Sequence, residues 1–156
     1  MRVWGEAALQ TMQEAYKRIS EEHEDPWVAL GDFSNDFFDQ PERRADLVCD
    51  PVQEPASSTG EQHRWAVFCA ASVEYLCQKY GIACPDWTSN PAYALLPEPW
   101  FDTTSTKPQV LERLRETTPD AFRRRNIYCG DRIYINKREA AAEFRRKLEL
   151  RLKRTA

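Results

Sequence analysis

The stretch EQHRWAVFCAASVEYLCQKYG, residues 61–81, constrains the fold more than any other part of the chain. Trp65, Phe68, Cys69, Ser72, Val73, Leu76 and Tyr80 recur at helical spacing, and Ala66, Val67, Ala70 and Ala71 widen the apolar surface. A helix apolar almost all round cannot lie on a surface, so the other elements must wrap it. Gly81 suits its C-terminal cap. The apolar run 65–77 carries Glu74 and is too short to span a bilayer, so no membrane is expected as a partner. At 156 residues the chain is long enough for a core of its own, and one domain over 1–156 is expected.

The flanking segments read as shorter helices. Over 6–23, Leu9, Met12, Tyr16 and Ile19 fall on one face. Over 25–39, Asp25 is a natural N-cap with Pro26 behind it. Trp27, Leu30, Phe33 or Ser34, and Phe37 make its core stripe there, and Gly31 suits a close helix contact. A proline opens a short helix at 41–49. Residues 50–60, DPVQEPASSTG, have little to bury and read as a mobile loop. Five prolines interrupt 82–108, whose aromatics Trp87, Tyr93, Trp100 and Phe101 call for an ordered loop wrapped on the core. A helix over 108–118 follows, then a short one with Thr118 as cap, Pro119 at its first position and Phe122 pointing inward. Around Cys129-Gly130-Asp131, the β-formers of 127–135 allow either a small hairpin or an extended turn. A long basic helix spans 137–154, with Ala141, Phe144, Leu148 and Leu152 on one face. The expected class is mainly α.

Little in this pattern suggests a reaction. The cysteines show no C-x-x-C pair, and five of them without framework spacing fit reduced thiols. The N-terminal MRVWGEAALQ lacks an apolar h-region, so the expected compartment is a cytoplasm. His63 and Cys69 are not spaced to meet on a helix face. No nucleophile elbow and no phosphate-binding glycine loop occurs. Asp32, Asp36 and Asp39, four and three apart, share one helix face. They could hold a divalent cation, but a wet helix face explains them more simply. A non-enzymatic protein with no cofactor and no metal is expected.

The charge is distributed unevenly. Residues 1–60 carry 13 acidic against 5 basic side chains, and residues 121–156 carry 4 against 12. Such asymmetry signals opposite-charge partners or ends that complement each other. Arg123, Arg124, Arg125, Lys137, Arg138, Arg145, Arg146 and Lys147 could neutralise nucleic-acid phosphates, which makes DNA binding by a transcriptional regulator the alternative reading. The three consecutive arginines radiate about 100° apart on a helix, so they cannot all serve one flat contact. At least one should turn back toward the acidic half.

The segments WVALGDFSNDFF, RRADLV, WAVFCAASVEYLCQKYGIACPDW, LLPEPWF and TPDAFRRRNIY together resemble a family of small bacterial antitoxin-like proteins encoded beside nucleotidyltransferase-like proteins. The resemblance covers about residues 26–135, and its last segment is the most specific. The basic C-terminal helix departs from it. The resemblance implies a module that neutralises or regulates a nucleotidyltransferase-like toxin. The acidic trio Asp32, Asp36 and Asp39 would face that partner's basic cleft. Phe144 and Leu148 suit helix-in-groove docking. Trp100 and Phe101 are candidate anchors, and Arg124 and Arg125 candidate contacts. Association with a second copy stays open.

Overall fold

Thr59 starts the central helix with a reciprocal cap. Its hydroxyl accepts the Gln62 backbone N–H at 3.1 Å, and the Gln62 side chain accepts the Thr59 N–H at 2.9 Å. The computed structural model describes residues 8–155, and within them the chain is mainly helical, as its periodicity predicts. In chain order the helices are α1 (Met12–Ser20), α2 (Pro26–Asp39), α3 (Arg44–Val48), α4 (Gly60–Tyr80), α5 (Pro108–Thr117), α6 (Asp120–Arg123) and α7 (Lys137–Thr155). Two short strands, β1 (Trp100–Phe101) and β2 (Ile127–Tyr128), and short 3-10 turns at Pro41–Arg43, Asp86–Ser89 and Pro91–Tyr93 complete the set.

Twelve residues of α4, from Trp65 to Cys77, are buried, so the helix is enclosed on nearly every side. Met12, Tyr16 and Ile19 of α1 and Leu30, Phe33 and Phe37 of α2 cover one side. Phe122 of α6 and Ile127 of β2 cover another. Gly81 ends α4 at φ +68°, a left-handed cap.

Several local expectations are corrected. The helix expected over 6–23 is confined to Met12–Ser20, because Thr11 caps it and the Gln10 N–H is drawn to the Asp36 carboxylate; residues 6 and 7 lie outside the described residues. Trp27 is not a core residue: it is 44% exposed and lies edge-on against Trp65 and Phe68. Gly31 makes no close contact, since a Cβ there would meet nothing within 4 Å. The 50–60 loop has more to bury than its composition suggests, for Val52 is buried and the Gln13 amide holds the Pro51 carbonyl at 3.0 Å.

The hairpin does not form. β2 pairs instead in parallel with β1, Trp100 opposite Ile127 and Phe101 opposite Tyr128, with α5 and α6 as the crossover that parallel pairing requires. Gly130 at φ +77° turns the chain away from β2, and its N–H is taken by the Thr118 hydroxyl at 2.8 Å. Thr118 therefore does not cap α6: its hydroxyl also donates to the Leu114 carbonyl at 2.6 Å, closing the end of α5.

Candidate partner-binding surface

The three consecutive arginines separate by depth. Arg123 is exposed, Arg124 is half-exposed and Arg125 is only 2% exposed. The Arg125 guanidinium donates to Glu74 at 2.6 Å and to the carbonyls of Tyr93 at 2.9 Å, Ala121 at 2.7 Å and Thr88 at 3.1 Å. Arg124 grips the other oxygen of the same carboxylate. Arg125 is thus no partner contact, correcting the reading from sequence. It turns inward to meet Glu74 of α4, the one buried carboxylate among the described residues, rather than the acidic N-terminal half. Burial lowers the pKa of both arginines, and the Arg125 charge adds to that at Arg124. Arginine starts so high that both stay cationic. Sequence reading missed this role, although its signal was present: a single Glu inside an otherwise apolar helix needs a cation.

Asp32, Asp36 and Asp39 do not form a free patch. Asp32 pairs with Arg18 at 2.9 Å, Asp36 accepts the Gln10 N–H at 2.8 Å, and Asp39 pairs with Arg138 at 3.2 Å. Arg18 also binds Glu24 and holds that carboxyl below its usual range. No three His, Cys, Asp or Glu side chains among the described residues are gathered to hold a metal ion. Each aspartate instead ties α2 to a neighbouring segment, which leaves the trio partly committed inside the chain.

Trp100 and Phe101 are half-buried. Trp100 stands edge-on to Trp65 with ring centroids 4.9 Å apart, and Arg64 lies over its face. Phe101 stacks on Tyr128 at 4.7 Å with Arg115 above it. Both rings therefore spend most of their surface on the chain itself.

His63 was passed over in sequence because no cysteine is in phase with it. Its Nδ1 donates to the Glu54 carboxylate at 2.6 Å, pinning the 50–60 loop to the first turns of α4. Its ring borders a cavity of about 360 Å³ lined also by Arg64, Leu96, Pro97 and Glu98. The pair anchors the loop, joining Glu54 to His63 across nine residues of sequence.

α7 leaves an extended surface uncovered. Asn136 receives the Arg138 N–H at 3.1 Å, the Tyr80 hydroxyl donates to Glu139 at 3.1 Å, and Arg138 reaches Asp39. These contacts fix the first turn alone. Every residue from Lys137 to Thr155 is exposed, over a helix about 28 Å long. Phe144, Leu148 and Leu152 are 69%, 44% and 62% exposed. The helix carries eight basic against three acidic side chains, a net of +5, with Arg145 and Arg151 bordering the apolar stripe.

The chain matches no family model, no curated protein and no solved structure.

Proposed function

We propose that the chain is a non-enzymatic protein-binding module that captures a partner through α7 and thereby neutralises or regulates it. The observation that carries this reading is the exposed Phe144–Leu148–Leu152 stripe on a helix that, among the described residues, packs on nothing beyond its first turn. Apolar side chains at spacings of four, edged by arginines, fit a partner groove with an apolar floor and acidic walls. The motif series at 26–135 points to a nucleotidyltransferase-like toxin as that partner. Arg124 stays available at the margin of the body through its exposed half. The test is co-expression with the product of the neighbouring gene, for which this reading expects a nucleotidyltransferase-like protein. A stable complex on size exclusion and relief of growth inhibition, both lost in Leu148→Asp, support the reading; separate elution with no relief overturns it.

A second reading rests on a different observation. Arg123, Lys137, Arg145, Arg146 and Lys147 are all exposed, and a surface of this sign attracts nucleic-acid phosphates. Duplex or single-strand affinity would then fall steeply with salt, with a slope reduced by each basic residue removed. Weak, salt-indifferent binding would exclude it.

A further inference from the structure

The same chain that leaves α7 bare also carries a cleft of complementary chemistry. Between the α1–α2 corner and the start of α4 lies a cavity of about 600 Å³. Ile19, Pro26 and Trp65 form its apolar floor, and Glu24, Asp25 and Glu61 stand at its mouth. The exposed faces of Trp27 and Val28 continue the apolar surface beside it. Among the described residues Glu61 makes no ion pair, and Asp25 only caps α2.

We propose that the protein forms a two-fold dimer in which α7 of each copy lies across the acidic cleft of the other. Three observations narrow the occupant to a second copy. Its own α7 does not reach the cleft: the first turn is fixed at Asp39 and Tyr80, and the remaining turns are exposed throughout. Pairing α7 with α7 would set +5 against +5, with the repulsion concentrated along the seam by Arg145 and Arg151. The acidic half is the matching surface, since residues 1–60 carry 13 acidic and 5 basic side chains. Phe144 and Leu148 would enter the floor beside Trp65, and the flanking arginines would meet Glu61 and Asp25. Two reciprocal contacts of this kind double the buried area toward the roughly 1,600 Å² of a standard interface. Reciprocity also closes the assembly, so it stops at two copies instead of growing into a filament. A protein partner that takes α7 would compete with this dimer.

Mass measurement on the purified full chain by sedimentation equilibrium tests the proposal without any partner present. Wild type is expected as a dimer at about 0.05 M salt, with dissociation at least tenfold easier at about 0.5 M. Glu61→Lys and Leu148→Asp, both on exposed positions, should each weaken dimerisation at least tenfold while the far-ultraviolet helical signal stays that of wild type. An equimolar mixture of the two variants should show a higher average mass than either alone, because one intact cleft then meets one intact helix. A monomeric wild type at low salt overturns the proposal. So does a Glu61→Lys variant that dimerises as well as wild type, or a mixture that behaves as its separate components. Failure here leaves partner capture by α7 to its own co-expression test.

Discussion

Arg125 and Glu74, 51 residues apart, meet at 2.6 Å inside the fold. The guanidinium bridges α4, α6 and the two loop carbonyls of Thr88 and Tyr93, so one side chain locks the proline-rich segment onto the core. Removing one member of a buried pair strands the other, at a cost of about 3–5 kcal/mol. Arg125→Met should lose that much in urea unfolding, moderated by Arg124, which still holds Glu74. The double variant Arg125→Met with Glu74→Met should be more stable than Arg125→Met alone, because no uncompensated carboxylate remains. Additive losses would show that the two residues act independently.

Gly130 predicts a second effect. At φ +77° it sits where a side chain is strained, and an added Cβ would come 3.2 Å from Leu114 Cδ2. Gly130→Ala should cost about 1–2 kcal/mol through the left-handed backbone and the displaced leucine. Gly81→Ala, left-handed at φ +68° but with open space around its Cβ, should cost about 1 kcal/mol. Equal costs would mean that the Leu114 contact relaxes freely. Chemical denaturation distinguishes the two.

Alkaline pH should destabilise the fold through its thiols. Burial pushes Cys77 and Cys129 from the ordinary 9.0 to about 12. The fold therefore keeps protons that the unfolded chain releases, so their contribution is fully present below pH 9 and is lost as pH rises toward 12. Melting temperatures by circular dichroism should be flat up to about pH 8.5 and decline beyond it. Cys129→Val should make that decline shallower. At neutral pH a thiol reagent should modify the exposed Cys49 and Cys84 well before the half-buried Cys129 and the buried Cys69 and Cys77.

Much of the fold was legible because its signals are local. The helical repeat of 65–80, the Asp25-Pro26 start of α2, the cap at Gly81 and the inward Phe122 are each set by neighbours within a turn or two. What escaped depends on distant chain. Trp27 has the right phase for the core, but α1 covers α2 from the side of Leu30 and Phe33 and leaves the indole at the edge. Ile127 and Tyr128 have strand-forming side chains, yet their partner is 27 residues earlier rather than across the Gly130 turn. The radiating arginines predicted that at least one turns back, but helical phase gives a direction and not what lies there; only Glu74 decides that it is Arg125. The exposed basic and apolar face of α7 was legible in composition, whereas the use of Asp32, Asp36 and Asp39 as internal ties was not.

The apolar stripe of α7 carries the last prediction, because it separates stability from binding. A core leucine replaced by aspartate would unfold a domain of this size, since burial of an unpaired charge costs several kcal/mol. Leu148 is 44% exposed and Phe144 69%, and neither belongs to the packed core. Leu148→Asp and Phe144→Asp should therefore change the unfolding free energy of the monomer by no more than about 0.5 kcal/mol. Helicity should also persist, for the Asn136 cap and the Glu143–Lys147 pair at 3.5 Å are untouched. If both variants instead melted several degrees lower at a concentration where wild type is monomeric, α7 would be packing on its own domain in solution. An unchanged melt together with lost association places the whole effect of these side chains on whatever α7 binds.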